Sequence, residues 1–218
     1  MKKRIFLCLT FAAIIAHATV IGPGTTVTPD EVATAVGAGS QELLTISGPY
    51  LFNILPADIS ASYVETAYAD TTNPFNTISG IYDTAIVLQI TVGKGTATIE
   101  RATLGYFGGF GTSVSYVAGS SAVPTSASRD SVGQVIGYNF AGLTKGDVET
   151  LVVYTNAVGA NYSGAVSIQN GTAGYNVGIS VAPEPFSATL FGAGLALLAF
   201  GVGRRHARPR PHSETPGA

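Results

Sequence analysis

IYDTAIVLQITV, Ile81 to Val92, decides the fold. It is rich in Ile, Val, Thr and Tyr, whose branched or aromatic side chains favour extended backbone. Gly-Lys-Gly closes it at 93–95 and punctuates the chain as a turn. Working outward, TATIERATL alternates and places Ala97, Ile99 and Arg101 opposite Thr98, Glu100 and Ala102. VGQVI followed by GYNF, and then VETLVVYTN (Val148 to Asn156), have the same composition. The turn signals GGFG, GLTKGD and QNGTAG recur at sandwich spacing, and Asn170-Gly171 reads as a tight hairpin. No stretch of the body shows a helix period, although DEVATAV could form a short helical turn. The fold class is therefore all-β: a β-sandwich of roughly eight to ten mostly antiparallel strands, with most of the sheet between Ser40 and Val181.

The ends differ from this body. Met-Lys-Lys-Arg, the apolar run Ile5 to Ile15 and Ala16-His17-Ala18 make an expected signal peptide over residues 1–18, with Ala16 and Ala18 at the positions a signal peptidase reads. Phe186 to Gly203 is 18 residues long without a charge. A helix of that length reaches roughly 27 Å, close to the ~30 Å of a hydrocarbon core, so it could span, though only just. Arg204, Arg205, Arg208 and Arg210 follow and hold that end in the cytoplasm, so the expected topology is type I with the domain outside. Before the span stand Pro183, Glu184 and Pro185. The prolines donate nothing to a sheet ladder and keep Glu184 extended.

Pro-Glu-Pro, one span and a basic cluster, in that order, resemble the PEP-CTERM sorting signal of Gram-negative bacteria. The resemblance implies processing by an exosortase, a membrane-embedded cysteine transpeptidase-like enzyme. It also implies delivery to the cell surface or the extracellular polysaccharide matrix, with the membrane a partner only before processing. The chain continues past the arginines, where such signals usually stop. The organisation that follows is a signal peptide at 1–18, a sandwich at 19–181, a sorting signal at 182–210 and a disordered tail at 211–218. Tyr106 to Gly171, with Gly-Phe-Gly-Thr-Ser-Val, Pro-Thr-Ser-Ala-Ser-Arg and Leu-Val-Val-Tyr-Thr-Asn-Ala, is also similar to the bodies of many PEP-CTERM proteins. No enzymatic activity comes with that likeness.

The body's chemistry is set by what it lacks. The histidines are His17, His206 and His212, the one cysteine is Cys8, and tryptophan is absent. An activated nucleophile beside a histidine base has no residues to build it, and no disulfide staples the domain. Four basic residues (Lys94, Arg101, Arg129, Lys145) face eleven acidic ones, a net charge near −7 that argues against nucleic acid. Glu65 with Asp70, and Asp147 with Glu149, are the carboxylate pairs available for glycoside hydrolysis, and they read as solvated turn and strand-face charges. YADTTNPFN, Tyr68 to Asn76, offers oxygen ligands for calcium but reads as an Asx-rich turn. No cofactor or metal is expected. Asn161-Tyr-Ser and Asn170-Gly-Thr are formal glycosylation sequons that suit hairpin chemistry better. Tyr106, Tyr116, Tyr138, Tyr154, Tyr162 and Tyr175 fall in strand-like runs. The expectation is an exported, non-enzymatic surface or matrix protein. The alternative is a carbohydrate-binding module or adhesin using exposed Tyr or Phe on one sheet face. A third reading, a glycosidase, needs two facing carboxylates about 5–10 Å apart in a cleft.

Overall fold

The structure, a computed structural model, describes residues 18–52, 59–95, 98–170 and 172–182. Two sheets make a sandwich. Its strands are β1 (Thr19–Val20), β2 (Thr26–Val27), β3 (Asp30–Val32), β4 (Gln41–Phe52), β5 (Ile59–Ala69), β6 (Thr84–Lys94), β7 (Ile99–Gly105), β8 (Thr112–Val117), β9 (Ser126–Arg129), β10 (Val135–Leu143), β11 (Val148–Thr155), β12 (Gly159–Asn170) and β13 (Thr172–Ala182). The first sheet runs β1-β8-β11-β6-β5-β4, with β3 also on β8; the second runs β13-β12-β7-β10-β9-β2. Every pairing is antiparallel except β3 with β8.

After the meander β4-β5-β6, the chain moves between layers: β7 in the second sheet, β8 in the first, β9 and β10 in the second, β11 in the first. The β6–β7, β7–β8 and β10–β11 corners fall on turn signals of the sequence, and the β8–β9 corner carries Gly119. Gly95, Gly109, Gly119 and Gly146 there take φ of 119°, 85°, 81° and 94°, a region open chiefly to glycine. The β12–β13 hairpin forms as expected, with Asn170 paired to Thr172. Two expectations change. Asp30–Val32, in the run read as a helical turn, is a strand, because β8 offers it an edge whose hydrogen bonds it completes. The sheet also begins at Thr19, well before Ser40.

The core fills the space between layers. Ile86, Leu88, Ile90, Leu151 and Val153 of the first sheet meet Leu104, Ile136, Ile168 and Ile179 of the second, all essentially fully buried. Complete burial of such side chains stabilises by about 1.5–3 kcal/mol each. The outer face of the first sheet is covered too: Ala85, Val152 and Tyr154 pack under Ala35, Val36 and Phe75 from the loops. β11 is thus buried on both faces, which is why Leu151-Val152-Val153-Tyr154 is apolar without alternation.

Three tyrosines bridge the layers. Tyr50 donates to Val166 O at 2.6 Å, Tyr63 to Val177 O at 2.8 Å, and Tyr138 to Val152 O at 2.7 Å. A buried phenol needs such a partner, and each of these finds it on a ladder carbonyl of the opposite sheet. Burial disfavours the phenolate and pushes the pKa of all three hydroxyls up.

Candidate functional site

The outer face of the second sheet carries a groove. Register sets Ser167 of β12 beside Thr103 of β7, and Gln169 beside Arg101. These residues alternate with Ala102, Leu104, Val166 and Ile168, which fill the core, so they must project outward. Arg101, Thr103, Gly105, Tyr106, Gln134, Val135, Ala165, Ser167 and Gln169 enclose about 600 Å³, within the ~300–1,000 Å³ of small-molecule sites. Its described lining has one charge, Arg101, and no carboxylate. Tyr106 stands at the rim, 55% exposed, with φ of 78°, the only non-glycine at positive φ among the described residues. Its N–H and that of Phe107 both donate to Gln134 O, at 2.7 and 3.0 Å, which fixes the backbone there. A bulky residue in that region costs about 1–3 kcal/mol.

Alternation along TATIERATL predicts Ile99 and Arg101 on one face, and the structure separates them. Ile99 is in the core, Arg101 on the groove. β7 pairs Ile99 with Leu143 and Arg101 with Asn139, so β10 holds two extra residues between the pairs. The in/out alternation of both strands changes across this break in the ladder: Ile99 and Leu143 face the core on one side of it, Ala102 and Tyr138 on the other. The guanidinium then lies across β10: it donates to Asn139 Oδ1 at 2.5 Å and to Ser128 Oγ at 3.1 Å. Position 137 must be glycine for this, because a Cβ there would come within 2.1 Å of Arg101 Nη2.

Arg129 shows the opposite arrangement. It is 4% exposed and donates to the carbonyls of Gly133, Ile21, Phe107 and Phe110 and to Thr112 Oγ1. Its fork ties three loops to the end of the sandwich and has nothing left to offer a ligand. Burial lowers the ionisation of both arginines.

The carboxylates expected as solvated charges are mostly buried. Glu65, Asp70 and Glu149 are each 0% exposed, whereas Asp147 stays in its turn, accepting from Thr144 N and Oγ1 at 2.7 and 3.0 Å. Glu65 lies between the layers because Ala61, Tyr63 and Ala67 of the same strand face that way. Its Oε2 accepts the Ile179 N–H at 2.8 Å, and Oε1 has no partner. Burial pushes this carboxyl up to about 8. Glu149 is also pushed up to about 8 by burial. The Ser120 side chain and the Ala122 backbone beside it act in the opposite direction, though neither makes a well-formed hydrogen bond to its oxygens, and the Ser120 hydroxyl donates to Val117 O at 2.8 Å.

These carboxyls do not form a glycosidase pair. Leu88 and Ile90 of β6 stand in register between the β5 and β11 positions. Two strand spacings and a two-residue offset put the Glu65 and Glu149 backbones roughly 12 Å apart. Neither lines the groove.

The Asp70 loop is an Asx turn, as its composition suggests. Asp70 Oδ1 accepts from Gly37 N, Ser40 Oγ, Thr72 N and Thr72 Oγ1 at 2.8–3.1 Å. Asn73 Nδ2 reaches the carbonyls of Thr84 and Thr155. The described residues contain no group of three or more His, Cys, Asp or Glu placed to hold a metal. Asn161 likewise serves its own bulge: its Oδ1 accepts from Ser163 N at 2.9 Å and from Ser180 Oγ at 2.5 Å.

The expected aromatics scatter. Tyr116, Tyr138 and Tyr154 are buried, Tyr162 is exposed away from the groove lining, and among the described residues only Tyr106 stands on it. The side chain of Tyr175 lies outside the described residues. So do the cleavage residue Ala16, the motif Pro183, Glu184 and Pro185, the span, and Arg204, Arg205, Arg208 and Arg210. Ala18 is described, directly ahead of β1. No family model, curated protein or solved structure matches the chain.

Proposed function

We propose that the chain is an exported, non-enzymatic protein of the cell surface or extracellular polysaccharide matrix, sorted through residues 182–210 by an exosortase. The observation that carries this reading is the order Pro183-Glu184-Pro185, apolar span, arginine cluster. Two further features support it. β13, the last strand of the described residues, ends at Ala182, directly before the motif in sequence. The domain between the two end signals also has no His or Cys, and its fully buried Glu65 and Glu149 do not face the groove.

The test is Glu184→Ala with both prolines kept, which removes the carboxylate and leaves the stiffness of the stretch. The wild type is expected outside the cells, shortened at its C-terminus, and the variant in the membrane fraction at precursor mass. Equal release of both would count against recognition of the motif.

A further inference from the structure

We propose that the groove on the second sheet binds a carboxylate-bearing pyranose, a uronate unit of an extracellular polysaccharide, with Arg101 taking the carboxylate and Tyr106 covering the ring. The source of that polysaccharide rests on the matrix reading above; the binding chemistry does not.

Charge complementarity selects the ligand. Arg101 is the groove's single charge, and among the described residues no carboxylate pairs with it. A guanidinium has five N–H donors. Asn139 and Ser128 each accept from it, which leaves donors unspent, whereas Arg129 has spent its own on carbonyls and a hydroxyl. The contacts to Asn139 and Ser128, with the backbone of Gly137 beneath, hold the fork in one orientation. A planar carboxylate meets such a fork through two parallel hydrogen bonds. The domain's overall negative charge is screened beyond about 8 Å at physiological salt, so the local guanidinium governs.

The rest of the lining fits a sugar ring. Gly105, Ala165 and Val135 give an apolar strip for C–H faces, and Gln134, Gln169 and Thr103 offer amide and hydroxyl groups for ring hydroxyls. Ser167 adds an independent sign. It is 1% exposed, it lines the groove, and its hydroxyl has no hydrogen-bond partner. Leaving such a group unpaired costs about 1–3 kcal/mol, which a ligand hydroxyl recovers. Tyr106 holds an exposed ring at this rim in a backbone conformation that glycine would adopt without strain.

Calorimetry on the mature full-length protein tests this with two probes of equal length, an alginate hexasaccharide and cellohexaose. The uronate probe is expected to bind at least tenfold more tightly than the neutral one. Tyr106→Gly relieves the positive φ, so it keeps the fold, and it is expected to weaken uronate binding about fivefold or more. Arg101→Gln is expected to abolish the preference for uronate. Thermal unfolding of each variant confirms that it is folded. Equal affinity for the two hexasaccharides, no heat with either, or unchanged binding in both variants overturns the proposal. Localisation is read separately: a membrane-retained protein that binds uronate refutes the sorting reading alone, and a released protein that binds neither sugar refutes the groove alone.

Discussion

Glu65 Oε2 accepts the backbone N–H of Ile179 at 2.8 Å, a bond from β5 of one sheet to β13 of the other. It joins residues 114 apart in sequence and sets a carboxyl inside the layer that hydrophobic side chains otherwise fill. Tyr50 and Tyr63 bridge the same layers beside it, their rings 5.2 Å apart.

That burial makes stability depend on pH. Glu65 ionises near its ordinary 4.5 in the unfolded chain and only near about 8 in the folded one. Between those values the folded protein keeps a proton that the unfolded chain has released. Stability is therefore full below the lower value and lost as pH rises through the upper one. The slope is at most about 1.4 kcal/mol per pH unit for this one group. Thermal unfolding should give a midpoint several degrees higher at pH 5.5 than at pH 8, and Glu65→Gln should reduce the slope, Glu149 carrying what remains. A midpoint that rises toward pH 8 contradicts this.

Gly178 is the clearance for that bond. A Cβ there would stand 2.8 Å from Glu65 Oε2 and 2.9 Å from the Ala165 backbone, neither of which gives way easily. Gly178→Ala is expected to cost about 1–3 kcal/mol in urea unfolding, the range of overpacked cores. A change below 0.5 kcal/mol, about the scatter of surface substitutions, would show that the layers are looser than described.

Arg129 should behave as a structural cation. Arg129→Met orphans the carbonyls of Phe107, Phe110 and Gly133, with an expected loss of about 3–5 kcal/mol. Arg129→Lys should rescue little, because one ammonium cannot replace a planar fork. Denaturant unfolding of both variants checks it, and full rescue by lysine would contradict the fork geometry.

Sequence pattern was a good guide wherever strands alternate or run apolar between glycine turns, as in β6, β10, β11 and the β12–β13 hairpin. The ten strands of four residues or more match the number expected. β4 escaped notice because Gly48 and Pro49 interrupt QELLTISGPYLF, yet it is the edge strand of its sheet, where a proline leaves no ladder bond unmade. The buried states of Glu65 and Glu149 were not legible, since burial depends on layer partners and loops that no local window contains. Arg101 was misplaced by one irregularity in β10, and with it the groove. Sequence spacing records the period of a strand but not the residue at which its partner slips.

The Tyr138 bridge allows a small, clean test of layer packing. Tyr138→Phe keeps the ring and removes only the hydroxyl bonded to Val152 O at 2.7 Å. The expected loss is about 1 kcal/mol by urea unfolding, since the carbonyl remains in its ladder. A loss above 3 kcal/mol would mean that the phenol holds more than this one bond.

The proposed release of this domain from a membrane-held precursor, by cutting within residues 182–210, is open to a direct test. On that proposal, an apolar span at Phe186 to Gly203 and arginines held in the cytoplasm would oppose release by any route that leaves the chain whole. The most direct measurement is the intact mass of the protein recovered outside its native cells. The predicted mass lacks residues 1–18 at one end and the span with Arg204 to Ala218 at the other. Protein found only in membranes, with Arg204 to Ala218 still attached, would contradict the claim and leave a single-pass anchor in its place.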